Sequence, residues 1–231
     1  SSDVLGITGP TNVAMTGTGT VTLAGTHSFS GTTAVTKGML RTDGAVFGGQ
    51  NNLHEALENA HALYKPKMIA VFTSCMPEII GDDLTAFIKN ARQKGHIPKD
   101  FPLPYANTPS FNGSHVNGYD SMVAAILQNL TEGKRVEGRC TGKLNLLPGF
   151  DTNTGDYREY RRILDAFGIP HTILADISGS FDSPNDGTYR LYPGGTPLAE
   201  AADSVNGKAT LTVGPYATAK TFAWVKESYA G

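Results

Sequence analysis

The chain is poor in the features that define several common protein classes. It has only two cysteines, Cys75 and Cys140, which lie far apart. That spacing offers neither a disulfide framework nor a Cys-x-x-Cys motif, and cysteine usage of this kind belongs to the cytoplasm. No apolar run approaches the roughly 20 residues that a membrane helix requires. There is no cationic excess: 19 Lys and Arg stand against 21 Asp and Glu, for a net charge of −2. Without a basic cluster, binding to a nucleic-acid backbone is not expected. Charged residues make up 17% and hydrophobic residues 39%, so the chain is not a disordered polyelectrolyte. A Walker-type phosphate loop, a Gly-x-Gly-x-x-Gly turn after a strand and a Gly-x-Ser-x-Gly elbow are all missing. The opening Ser1-Ser2-Asp3-Val4 carries no Met and no basic-then-apolar leader, which points to a processed, trimmed or internal amino end.

What is present changes character near residue 44. Residues 1–44 are rich in Gly and Thr. Thr18-Gly19-Thr20-Val21-Thr22-Leu23-Ala24-Gly25 alternates small or polar with apolar residues, as a half-buried strand does, and Thr33-Ala34-Val35-Thr36 repeats the pattern. This stretch is similar to the Gly/Thr strand repeats of bacterial autotransporter passengers. Such repeats bury a face only when several stack, and about one copy is expected here. The segment is therefore expected to be loosely tied to the rest.

From residue 45 onward helices and strands alternate. Residues 52–64 place Leu53, Ala56, Leu57, Ala60 and Leu63 on one helical face, with Pro66 beyond the end. Met68-Ile69-Ala70-Val71-Phe72 has the continuous apolar character of a buried parallel strand. Asp82 and Asp83 suit a helix start, Leu84, Phe87, Ile88 and Ala91 its inner face, and Gly95 its end. A strand near 103–106 and a helix near 119–130 complete a first unit, 45–130. Residues 131–141 have linker composition. A second unit, 142–231, follows: strands at 144–147, 171–175 and 209–213, and helices at 156–167, 198–205 and 218–229. Tyr157, Tyr160, Leu164 and Phe167 form the inner stripe of the first of these helices. Strand–helix alternation at this spacing makes an α/β fold with Rossmann-like parallel sheets flanked by helices.

In such sheets ligands gather where strands end and loops begin. Cys75 stands there, in Thr73-Ser74-Cys75-Met76-Pro77-Glu78. It reads either as a buried structural thiol or as a thiolate ligand at a helix entrance. Ser110, in Asn107-Thr108-Pro109-Ser110-Phe111-Asn112-Gly113-Ser114-His115, ends the next strand on the same sheet edge, so the two side chains are expected to be neighbours. His54, Glu58 and His61 share one helical face. A Glu-x-x-His pair can serve a di-iron centre, but with no second carboxylate helix the face reads as solvated.

Several runs resemble the beta chains of nitrogenase molybdenum–iron proteins, in collinear order over residues 45–231. They are Ala45-Val46-Phe47-Gly48-Gly49-Gln50-Asn51-Asn52-Leu53, Leu63-Tyr64-Lys65-Pro66-Lys67-Met68-Ile69-Ala70-Val71, Thr73-Ser74-Cys75-Met76-Pro77-Glu78-Ile79-Ile80-Gly81-Asp82-Asp83-Leu84, Thr108-Pro109-Ser110-Phe111-Asn112-Gly113-Ser114-His115-Val116 with Gly118 and Asp120, Leu147-Pro148-Gly149-Phe150, Phe181-Asp182-Ser183-Pro184-Asn185-Asp186-Gly187 and Tyr192-Pro193-Gly194-Gly195-Thr196. The resemblance implies an oxidoreductase subunit that pairs with an alpha chain in a heterotetramer and receives electrons from the iron protein. It implies a part in holding the iron–sulfur P-cluster, which relays electrons to the iron–molybdenum cofactor of the alpha chain. It places Cys75 at the position of a P-cluster thiolate and Ser110 at that of a serine whose oxygen ligates iron on oxidation. A soft thiolate and a harder alkoxide are both reasonable iron donors.

The chain also departs from that pattern. Beta chains carry two further cluster cysteines upstream, whereas residues 1–44 contain none. One such position falls at or near Gly17, and an Arg-Glu pair is replaced by Ser30-Gly31. Cys140 matches no ligand position. The expectation is a fragment, fusion or altered variant that holds an incomplete cluster site. The alternative is a related scaffold or binding module that keeps the fold without the cluster.

Overall fold

A computed structural model describes residues 49–151, 153–179 and 195–229, together with the backbone of six short strands between Thr8 and Thr42. Three of the resembling runs fall wholly or partly outside these residues: Ala45 to Gly48, Phe181 to Gly187, and Tyr192 to Gly194. The positions at Gly17 and Ser30-Gly31 also lie outside.

The six strands are β1 (Thr8–Gly9), β2 (Val13–Met15), β3 (Thr20–Leu23), β4 (Ser28–Phe29), β5 (Thr33–Val35) and β6 (Met39–Thr42). They pair in parallel as β1 with β4, β2 with β5 and β3 with β6, setting Thr8 against Ser28, Val13 against Thr33 and Thr20 against Met39. Each ladder joins residues about 20 positions apart.

The next unit runs α1 (Gln50–Tyr64), β7 (Val71–Phe72), α2 (Cys75–Ile80), α3 (Leu84–Lys94), β8 (Tyr105–Ala106) and α4 (His115–Thr131). Asp83 caps α3 by accepting from the Ala86 amide at 3.0 Å, and Gly95 ends it at φ +79°. Leu57, Leu84, Ile88, Ala91, Ile97 and Leu103 form the core of this unit. The strand expected over 68–72 is regular only at Val71–Phe72, where it pairs in parallel with Tyr105–Ala106. The partner segment explains the difference. Pro102 and Pro104 have no N–H, so they only accept, from Ile69 N and Val71 N at 3.1 and 2.9 Å. Phe72, expected to be buried, is 70% exposed.

The second sheet holds β9 (Leu144–Leu147), β10 (His171–Ile173) and β11 (Ala209–Thr212), all parallel in the order β10-β9-β11. Helix α5 (Thr154–Ala166) covers one face, where Leu146, Ile173, Tyr157 and Leu164 pack together. The other face is covered by α4, α6 (Leu198–Asp203) and α7 (Ala219–Ser228), through Val123, Leu127, Leu130, Leu147, Leu174, Ala201 and Val225. Alternate strand residues thus feed opposite layers. Phe167, placed on the inner stripe of α5 by its spacing, is instead 77% exposed, because the helix ends at Ala166 and the chain turns at Gly168, φ +65°.

Residues 131–141 are held by side chains of the second unit. Asn206, buried in a 3-10 turn at Ser204–Asn206, accepts from Val136 N at 3.0 Å and donates to Lys134 O at 3.0 Å. Arg139 pairs with Asp203 at 2.7 Å.

Candidate functional site

Cys75 follows β7 and Ser110 follows β8. Because those strands are parallel and adjacent, both loops leave the same sheet edge. Cys75 Sγ and Ser110 Oγ are 2.5 Å apart. The two residues singled out in the sequence, 35 positions apart, are therefore direct neighbours. Cys75 is partly exposed and unbridged, so it is not the buried core thiol of the blander reading. The Ser110 hydroxyl, followed by the Ser110 backbone amide, holds the thiol below its ordinary range, a setting that favours thiolate.

The surroundings are apolar and open. Phe72, Met76, Ile79 and Phe111 are 70%, 58%, 70% and 65% exposed. Helix α2 has no buried residue. Large exposed apolar side chains thus flank the thiol in both loops. A cavity of about 570 Å³ runs alongside, lined by Phe72, Thr108, Ser110, His115, Tyr119 and Lys220 among others.

Polar side chains fix the two loops. Thr73, buried, donates its hydroxyl to Glu78 Oε1 at 2.5 Å, and Asn107 Nδ2 donates to Glu78 Oε2 at 3.3 Å. The Thr108 amide donates to Thr73 Oγ1 at 3.0 Å, and the Thr108 hydroxyl to Thr73 O at 2.7 Å. Glu78 had no assigned role in the sequence reading. The only available signal was a carboxylate three residues after the cysteine.

The other strand edge is filled. Between the ends of β9 and β11, where the order β10-β9-β11 changes direction, an α/β sheet ordinarily offers a ligand crevice. Here Gly149, φ +88°, lies so close that a Cβ would sit 2.8 Å from Ala217 Cβ. The start of α7 is served by buried Asp120 of α4, which accepts from Lys220 N at 2.7 Å, Thr221 N at 3.0 Å and Thr221 Oγ1 at 2.6 Å. An internal carboxylate takes the place that a ligand anion would occupy. Tyr119 and Tyr157 hydrogen-bond nearby, and burial raises the pKa of both phenols.

His54, Glu58 and His61 do not form a solvated face. His54 is buried, stacks on His96 with ring centroids 4.5 Å apart, and its Nε2 lies 3.1 Å from Phe87 O. Glu58 meets His96 Nδ1 at 2.5 Å, and His61 packs edge-on against Phe101. No group of three or more His, Cys, Asp or Glu suited to a metal ion occurs among the described residues. Cys140 is exposed and remote from the site in sequence.

Parallel sheets flanked by helices, with a thiol and a hydroxyl brought together at a strand edge, define an α/β protein with a loop-borne donor pair. The chain belongs to the nitrogenase component 1 type oxidoreductase family, whose model matches residues 8–230. It is 54% identical over 187 residues to the nitrogenase molybdenum–iron protein beta chain of a Nostoc species, covering 81% of this chain and 36% of that one. It is 49% identical over 191 residues to the corresponding chain of Bradyrhizobium diazoefficiens, covering 80% and 37%. Among solved structures it resembles nitrogenase Cp1 at pH 6.5, with TM-score 0.74 and 37% identity over 85% of this chain and 42% of that chain. The chain thus spans little more than a third of the length of these curated relatives. No helix among the described residues is long and apolar enough to cross a membrane.

Proposed function

We propose that the chain is the cluster-facing portion of a nitrogenase molybdenum–iron protein beta subunit, acting in the cytoplasm in nitrogen fixation. Cys75 supplies a thiolate and Ser110 an oxygen donor to one edge of the P-cluster. The 2.5 Å contact between their side chains carries this reading. The exposed apolar side chains around them are the surface on which the alpha chain would close, completing the ligand set. The donor set suits iron at that edge, soft sulfur beside a harder oxygen. When bound, the cluster supplies one-electron storage and relay between the iron protein and the alpha chain's cofactor. The contribution of this chain is to hold Cys75 as thiolate beside a hydroxyl, and to exclude water once Phe72, Met76, Ile79 and Phe111 are covered.

A second reading rests on a different observation: residues 1–44 contain no cysteine. Under that reading the chain is a family member that keeps the fold as a scaffold and holds no complete cluster. Anaerobic co-purification with a nitrogenase alpha chain, followed by iron and sulfide analysis, separates the two. Cluster iron that is stoichiometric and is lost in Cys75→Ala supports the first. A colourless complex supports the second.

A further inference from the structure

The two donor side chains sit on segments with little apolar anchorage. Among the described helices only α2, which begins at Cys75, has no buried residue. In the facing loop Asn107, Ser110, Phe111, Asn112 and Gly113 are all exposed. Core packing therefore cannot be what holds Cys75 against Ser110, since a side chain gains positional order chiefly from the atoms packed around it. The order must come from polar contacts. Beyond the backbone bond from Thr73 N to Ala106 O at 3.2 Å, the side-chain contacts that brace these segments converge on the Glu78 carboxylate and on Thr73, through its hydroxyl and its carbonyl.

We propose that Glu78 is the positioning residue of this site. Its Oε1 accepts from Thr73, two residues before Cys75, and its Oε2 accepts from Asn107, three residues before Ser110. Thr73 in turn is clamped to Thr108 through its hydroxyl and its carbonyl. One carboxylate thereby ties the start of α2 to the end of β8, and sets the register of Sγ and Oγ before any metal arrives. A charged acceptor suits the task because its hydrogen bonds are stronger and more directional than those of a neutral group. This assignment rests on reading Cys75 and Ser110 as a donor pair, but its test involves no iron, so the two can fail separately.

The test uses the full chain carrying Ser110→Cys, to turn the donor pair into a dithiol, and Cys140→Ser, to remove the competing thiol. Closing the pair transfers two electrons to oxidised glutathione and releases two reduced glutathione molecules. The equilibrium gives the effective concentration of one thiol at the other. With Glu78 intact the pair closes readily. Glu78→Ala lowers the effective concentration by roughly tenfold or more, the loss of two charge-assisted hydrogen bonds. Glu78→Gln keeps an acceptor for Thr73 but presents no second carboxylate oxygen to Asn107, so its value falls between, and it guards against misfolding of the alanine variant. The urea midpoint of each variant is measured in parallel. An effective concentration that falls while the midpoint holds supports the assignment. Unchanged effective concentration overturns it, as does failure of the parent pair to close. A fall matched by equal loss of global stability makes Glu78 an ordinary fold stabiliser and also overturns it.

Discussion

Two places in this molecule lie at the carboxyl ends of parallel strands, and they are built in opposite ways. Between β7 and β8 the loops leave Cys75 and Ser110 at the surface, among apolar side chains that stay exposed among the described residues. Between β9 and β11 the corresponding space is closed by Gly149 against Ala217 and by Asp120 at the start of α7. One edge keeps its polar groups available for a ligand, and the other satisfies them internally. A strand edge in an α/β sheet is thus only an opportunity for binding. Side chains brought in from other elements decide whether it stays open.

The closed edge should be the costlier one to break. Asp120→Ala leaves the Lys220 and Thr221 amides without their acceptor, while the Thr221 hydroxyl keeps Asp120 O at 3.0 Å, so unfolding stability should fall by about 2–3 kcal/mol. Urea denaturation measures it, and a change under 1 kcal/mol would deny Asp120 its capping role.

Gly149→Ala comes next. Its Cβ would meet Ala217 in a left-handed backbone conformation that only glycine adopts freely, for a cost of about 2 kcal/mol. A melting curve that does not shift would show the β9–β11 crevice to be roomier than the structure has it.

The open edge should tolerate change almost silently. Ile79→Ser replaces a side chain that is 70% exposed, so the isolated chain should keep its stability within about 0.5 kcal/mol. Binding to an alpha chain, followed by titration calorimetry, should weaken if that side chain is covered on assembly. A large loss of stability in the isolated chain would mean that Ile79 belongs to the core, and the contrast between the two edges would lapse.

Much of the second sheet was legible because its signals are local. Leu144-Asn145-Leu146-Leu147 puts three leucines in a stretch of strand length that runs into Pro148-Gly149, and the structure begins and ends β9 at those residues. Asp83 and Gly95 bracket α3 as their chemistry requires, one accepting an amide and the other turning left-handed. Where sequence reasoning erred, the deciding residue was distant. His54 looked solvated on its own helix, but His96, which covers it, belongs to the turn after α3. The strand at 68–72 was shortened by prolines in its partner. Phe167 fits a helical stripe by spacing, and falls outside only because the helix has already ended.

The sequence by itself determined the alternation of helices and strands, the caps, and the presence of a cysteine loop and a serine loop after successive strands. Periodicity and end chemistry act over a few residues, so they can be read without the fold. That Cys75 and Ser110 are neighbours follows from successive parallel strands, but tertiary structure alone decided that Glu78 joins their two loops and that Asp120 closes the other edge. Those contacts join residues whose separation along the chain ranges from five positions to more than a hundred. Which of the available partners each polar group meets is settled by parallel pairing and by the packing of α4 against α7, and no local pattern encodes either.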